Sequence, residues 1–337
     1  MKRKNPFKTY FMNLFVIAMA CALIGMLAAC EPAPDTPDVD YDTYSDGPYT
    51  SEGSLSSGPS GDSGVFYPGE ITSADTRFPV FVFGCGAGSG PSDYERHLER
   101  LATWGFIVVC EVSTGTGSEL TEAIDWIIEQ NDRRSSRFYQ KVNTSKIAAG
   151  GHSQGSISTF AMADDPRLTT TIHVAGGSFD GNGADNLENP VAYICGADDS
   201  MGTDNTETDY ENSDVPAFFT VMEGVGHIYA TQEGMPAIIA WLRWQLYDET
   251  SRKAEFLEPD GVFQTGIFDS QAKNWDGSGD NGDNGDIPGG CDGTEGIDAG
   301  IGDGIGDGIG GSIGDSSIGG CYGSGLGDSI GSGGIFS

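Results

Sequence analysis

Residues 151–155 read Gly151-His152-Ser153-Gln154-Gly155, a serine with a glycine two positions away on either side. This G-x-S-x-G spacing suits a sharp strand-to-helix turn that lifts a hydroxyl clear of the backbone, with side chains absent where the turn closes on itself. An alcohol is a weak nucleophile at neutral pH, so Ser153 needs a base to take its proton and an acid to orient that base. Where such an elbow carries a triad, the order along the chain is Ser, then Asp or Glu, then His. The chain has four histidines. His97 falls in a helical stretch, His152 stands beside the serine and His173 lies inside a strand-like run, so packing or surface roles are assigned to these three. His227, in the loop Gly224-Val225-Gly226-His227, is the candidate base. The segment Ile194-Cys195-Gly196-Ala197-Asp198-Asp199-Ser200 offers two aspartates; Asp199 is the candidate acid and Asp198 its alternative.

Acyl transfer also needs two donors for the developing oxyanion. One is the backbone N–H of Gln154, directly after the serine. The other is expected from the glycine-rich loop Gly84-Cys85-Gly86-Ala87-Gly88-Ser89-Gly90-Pro91, with Ala87 preferred and Gly86 as fallback. That loop is not a phosphate cradle, since no Gly-Lys-Ser/Thr follows it and its glycines have the wrong spacing for a dinucleotide fingerprint. No CxxC or histidine-rich ligand spacing is present. Neither a cofactor nor a structural metal is expected.

These residues must be held by a scaffold, and the intervening chain supplies one. Val80-Phe81-Val82-Phe83 is a short apolar run of the kind buried parallel strands carry. Similar runs follow at 106–110, 146–150, 171–174, 191–194 and 217–222. Between them, Tyr94, Leu98, Leu101 and Trp104 form a helical stripe, with Ser92 and Glu95 as a capping box and Gly105 as the C-cap. Thr116 and Glu119 are expected to cap a second helix, whose Leu120, Ala123, Ile124, Ile127 and Ile128 share a face. Pro236 opens a last helix bearing Ile238, Ile239, Trp241, Leu242 and Leu246. Alternation of this kind predicts an α/β fold, a mostly parallel sheet covered by helices on both faces. The segment from Thr171 to Pro190 is too short for a large lid, which leaves the site open.

The ends of the chain differ from its middle. Lys2, Arg3, Lys4 and Lys8 precede an apolar run ending Leu27-Ala28-Ala29-Cys30. A basic start, an apolar stretch and small residues at the exit make an export signal. Leu-Ala-Ala-Cys resembles the lipobox of bacterial lipoproteins, which implies lipid attachment at Cys30 and a protein exported and held at the cell envelope, at an outer membrane or the cell surface. Residues 31–46 then read as an acidic, Pro-rich spacer, 47–258 as the catalytic domain, and 259–337 as a Gly/Asp/Ile-rich low-complexity tail expected to be disordered. The formal net charge of −33 argues against nucleic acid as a partner.

With the site placed, residues 47–258 resemble the α/β-hydrolase superfamily, and within it the cutinase-like polyester hydrolases and the chlorophyllase- or dienelactone-hydrolase-like esterases. Gly47-Pro48-Tyr49-Thr50 resembles that group's domain start, and Val65-Phe66-Tyr67-Pro68 its early strand. Leu101-Ala102-Thr103-Trp104-Gly105-Phe106 is similar to a segment usually written Leu-Ala-Ser-His-Gly-Phe, and 241–246 with Phe256-Leu257 to its closing helix. The resemblance implies a triad of Ser153, Asp199 and His227 with oxyanion donors at Gln154 and Ala87. It also makes Cys85 and Cys110 neighbours on adjacent strands, as buried thiols or a disulfide; in the tail, Cys291 and Cys321 flank a repeat in which Ile301, Ile305, Ile309 and Ile313 recur every fourth residue. Three positions depart from the polyester hydrolases: Ser178-Phe179 in the loop before the aspartate strand, Ser156 where a glycine is usual, and Ala87 where a substrate-clamping aromatic is usual.

The expectation is therefore a lipid-anchored, exported serine hydrolase that cleaves carboxylic esters through an acyl-enzyme, its open site suited to bulky or polymeric substrates. Two alternatives use the same residues. A peptidase or acyltransferase would differ only in leaving group or acceptor, and a non-catalytic binding lipoprotein would keep the fold without the reaction.

Overall fold

The computed structural model describes residues 42–275. The leader with Cys30, most of the spacer, and the repeat with Cys291 and Cys321 lie outside the described residues. Nine strands form one sheet: β1 (Ser51–Ser57), β2 (Ser63–Pro68), β3 (Phe78–Gly84), β4 (Ile107–Glu111), β5 (Val142–His152), β6 (Leu168–Val174), β7 (Val191–Gly196), β8 (Ala217–Met222) and β9 (Phe268–Lys273). Their spatial order is β1-β2-β4-β3-β5-β6-β7-β8-β9. The six strands from β3 to β8 pair in parallel, while β1, β2 and β9 add antiparallel edges. Seven α-helices cover the sheet among the described residues: α1 (Glu95–Thr103), α2 (Ser118–Asp132), α3 (Gln154–Ala161), α4 (Thr203–Asn212), α5 (Ala230–Glu233), α6 (Met235–Tyr247) and α7 (Lys253–Leu257).

The continuous apolar runs follow from burial on both faces. In β3, Phe81 and Phe83 point into one core with Leu98 and Leu101 of α1 and Ile238, Trp241 and Leu242 of α6. Val80 and Val82 point the other way, against Leu120, Ile124 and Ile127 of α2. The expected α/β architecture is therefore present, and the segment between β6 and β7 holds only a short 3-10 turn at Gly183–Asn186.

The structure corrects the sequence reading at several points. The domain does not end at Glu258. Strand β9 pairs with β8 along its whole length, and Phe263 and Phe268 lie buried in the same core as Trp241 and Phe256. The two helix starts are also built differently. Tyr94, rather than Ser92, precedes α1, after a 3-10 turn in which Gly90 N–H donates to Asp93 Oδ2 at 2.9 Å. Gly117 precedes α2 in the left-handed region (φ 76°), and the Glu119 carboxylate accepts the N–H of Thr114 at 2.9 Å instead of capping Thr116. Gly105 does terminate α1 with φ 93°, a value that suits glycine. Cys85 and Cys110 are buried free thiols with sulfurs 3.4 Å apart, and Cys195 is a third.

Candidate active site

The parallel strands deliver the candidate residues to the same edge of the sheet, because each site loop leaves the C-terminal end of its strand. Ser153 links β5 directly to α3 with φ 54° and ψ −113°, a strained conformation for a residue with a Cβ. The glycines around it are enforced sterically. A Cβ on Gly155 would stand 2.0 Å from the Gly84 carbonyl oxygen, and one on Gly151 would stand 2.2 Å from the Gly155 carbonyl carbon. The turn can therefore close only against bare backbone.

Asp199 follows β7 and His227 follows β8, strands that are direct neighbours. His227 Nδ1 donates to Asp199 Oδ2 at 2.9 Å, and the aspartate side chain is completely buried. Its other oxygen, Oδ1, accepts the N–H groups of Met201 at 2.8 Å and Gly202 at 3.0 Å. These bonds offset the cost of burying a carboxylate. Asp198 is exposed and makes only backbone contact with the His227 loop, through its N–H to the Val225 carbonyl at 2.9 Å. The structure thus brings Asp199, not its alternative, to the imidazole.

In the glycine-rich loop, the N–H of Gly86 is committed to the Tyr94 hydroxyl at 3.0 Å. The fallback donor is therefore occupied. Ala87 is exposed, and its N–H makes no hydrogen bond among the described residues. Gln154 begins α3, so its N–H is one of the unpaired donors at a helix start.

Two of the histidines expected in packing or surface roles make specific contacts around Ser153. His173 is fully buried and stacks on Phe160 with ring centroids 3.7 Å apart. Its Nδ1 meets Ser156 Oγ at 2.8 Å, and that hydroxyl donates to the Gly176 carbonyl at 2.6 Å. Burial pushes the His173 imidazole down to about 3, so it acts as a neutral Nδ1–H donor. The Ser156 hydroxyl thereby ties α3 to Gly176, where an added Cβ would stand 2.6 Å from the Ser153 carbonyl oxygen. His152 is likewise buried, its imidazole pushed down to about 4 chiefly by desolvation. It bonds Tyr94 through Nδ1 at 2.8 Å and the His227 carbonyl through Nε2 at 3.0 Å. Its position beside Ser153 is the one sequence signal for such a role; the sequence marks Tyr94 only as part of an apolar stripe.

Around the site, Val112 follows β4, Phe179 follows β6, Met201 follows β7, and Ile228 and Tyr229 follow β8. These are five of the eight large hydrophobic side chains exposed among the described residues. Their concentration at one sheet edge gives the site an apolar rim. A cavity of about 510 Å³ lies elsewhere, against β1 and lined by Glu52, Tyr67, Arg137 and Phe138. Among the described residues no group of His, Cys, Asp or Glu is arranged to hold a metal ion.

A search of curated proteins found no match. The sequence model of the PET hydrolase-like family matches residues 28–274, more than half of the chain and through the end of β9. The sheet architecture agrees with that family's α/β-hydrolase fold, and the chain belongs to the PET hydrolase-like family.

Proposed function

We propose that this protein is a serine hydrolase of carboxylic esters, working through Ser153, His227 and Asp199. The observation that carries the reading is the 2.9 Å bond between His227 Nδ1 and the buried Asp199 carboxylate, beside a serine held in a strained elbow. Asp199 holds His227 in the tautomer whose Nε2 accepts a proton. His227 takes the Ser153 proton as the hydroxyl attacks the ester carbonyl. The tetrahedral oxyanion is received by the N–H groups of Gln154 and Ala87, each aimed at charge that develops only in the transition state. His227 then returns the proton to the leaving alcohol, and water resolves the acyl-enzyme by the same steps in reverse.

The apolar rim supports a bulky or polymeric ester in preference to a small polar one. Export and tethering through a lipid on Cys30 belong to the same proposal, supported by the basic leader and the Leu-Ala-Ala-Cys sequence. Hydrolysis of a chromogenic ester series by the chain from residue 31 onward, beside its Ser153→Ala variant, tests the reaction. Wild-type turnover that collapses in the variant, with fluorophosphonate labelling confined to the wild type, is the expected result. Equal inertness of both and failure of the label would overturn it. Incorporation of labelled fatty acid into the exported chain, lost in Cys30→Ser, tests the anchor.

A further inference from the structure

We propose that Tyr94 and His152 form a hydrogen-bonded strut that sets the oxyanion loop and the general base in register with each other. The strut deepens the serine-hydrolase reading and rests on it. It runs Gly86 N–H to Tyr94 Oη at 3.0 Å, Tyr94 Oη–H to His152 Nδ1 at 2.8 Å, and His152 Nε2–H to the His227 carbonyl at 3.0 Å.

The two outer bonds have fixed directions, and for a neutral imidazole they fix the middle one. A backbone N–H can only donate and a carbonyl oxygen can only accept. The Tyr94 oxygen accepts from Gly86, so its own proton is free for His152 Nδ1. His152 must then carry its proton on Nε2, where the His227 carbonyl takes it. Of the two neutral tautomers only Nε2–H satisfies all three bonds; the charged imidazolium would satisfy them too, with the phenol oxygen accepting twice. Burial favours the neutral state, because it pushes the imidazole of His152 down and the phenol of Tyr94 up to about 12.

Packing holds the strut from both sides. The Phe83 ring meets Tyr94 at 5.2 Å between centroids, and the rings of His152 and His227 lie 4.9 Å apart. The loop is fitted to it as well. A Cβ on Gly86 would stand 2.9 Å from His152 Nδ1 and 3.1 Å from Tyr94 Oη, so glycine is needed at that position. Because the strut consumes the Gly86 N–H, the next donor along the loop, Ala87, is the one left for the oxyanion. At the other end it fixes the backbone of the very residue that carries the base. Tyr94 and His152 are positioning residues: neither donates to the oxyanion nor moves the reaction's proton. A displacement of about 1 Å in either of the groups they hold costs on the order of 100-fold in rate.

The test compares kcat and KM of the full chain on a soluble chromogenic ester for the wild type, Tyr94→Phe, His152→Gln, His152→Leu and Ser153→Ala. Tyr94→Phe removes one oxygen atom. It should lower kcat about tenfold while KM stays within about twofold, as expected when interactions realised in the transition state are lost. His152→Leu removes the whole strut and should fall about 100-fold. His152→Gln keeps a donor for the His227 carbonyl and should recover part of that loss. Nitrogen NMR of the wild type should show His152 protonated on Nε2, and Tyr94→Phe should shift its Nδ1 resonance toward that of an unbonded nitrogen. A kcat for Tyr94→Phe within twofold of wild type, a change confined to KM, or an Nδ1–H tautomer would each overturn the strut. If Ser153→Ala is inactive in that case, the triad reading survives the strut's failure. If Ser153→Ala remains active, the triad reading fails and the strut with it. Should His152→Leu not fold, Tyr94→Phe carries the test alone.

Discussion

Replacing Asp199 by asparagine should disable the site through geometry, with almost no change in shape. Asp199 Oδ1 accepts two backbone N–H groups, from Met201 and Gly202. In Asp199→Asn the amide oxygen must keep that position, since turning the amide over would set its NH2 against two other donors inside a completely buried pocket. The amide nitrogen therefore occupies the place of Oδ2, facing His227 Nδ1 across 2.9 Å. Two donors cannot share that bond. His227 is driven to carry its proton on Nε2, the nitrogen that must accept from Ser153. Such a swap in a Ser-His-Asp triad lowers kcat about 10⁴-fold, which corresponds to about 5.5 kcal/mol of barrier. The assay is kcat on a short chromogenic ester near pH 8, with a thermal melt to confirm folding. Asp198→Asn, at the exposed neighbour, should stay within about twofold of wild type by the same measurement. A folded Asp199→Asn enzyme that lost less than tenfold would refute the assignment of Asp199 as the orienting acid.

Three further outcomes are expected. A chain ending at Glu258 should melt far lower than one ending at Trp275, or fail to stay soluble in the same thermal assay. The shorter chain lacks β9 and the buried Phe263 and Phe268, each worth about 2–3 kcal/mol of apolar burial. Glu111 is buried at the end of β4, and desolvation pushes its carboxyl up from 4.5 to about 7. Its native form holds the proton more tightly than the unfolded chain does. Stability is therefore full below about pH 4.5 and is lost as the pH rises to about 7, by at most about 3 kcal/mol. Glu111→Gln should raise the melting temperature at pH 8.5 by several degrees and leave it nearly unchanged at pH 4.5. Gly155→Ala places its Cβ 2.0 Å from the Gly84 oxygen, both on fixed backbone. It should cost at least about 3 kcal/mol and abolish fluorophosphonate labelling of Ser153.

The sequence by itself determined the central sheet and the strained turn at Ser153, because both rest on local pattern. Buried parallel strands such as Val80–Phe83 must be apolar on both faces, and the elbow must bring glycines to 151 and 155; such constraints leave a mark within a few residues. The edge strands leave much less. In β1 the residues Ser51–Ser57 are mostly exposed, and in β9 Phe268 is the one buried residue. Neither carries a continuous apolar run, so the composition of β9 merges with the Gly- and Asp-rich segment that follows it.

Between Asp198 and Asp199 the sequence could only prefer. The turn after β7 decided, by burying one carboxylate against His227 and leaving its neighbour in solvent. The choice between Gly86 and Ala87 likewise depended on a hydroxyl eight positions along the chain, on Tyr94. His152 and His173 looked like bystanders because their partners, 75 and 17 residues away, meet them only once the sheet is assembled. Hydrogen-bond direction and burial are properties of the assembled neighbourhood. No periodicity along the chain encodes them, and tertiary structure alone settled them.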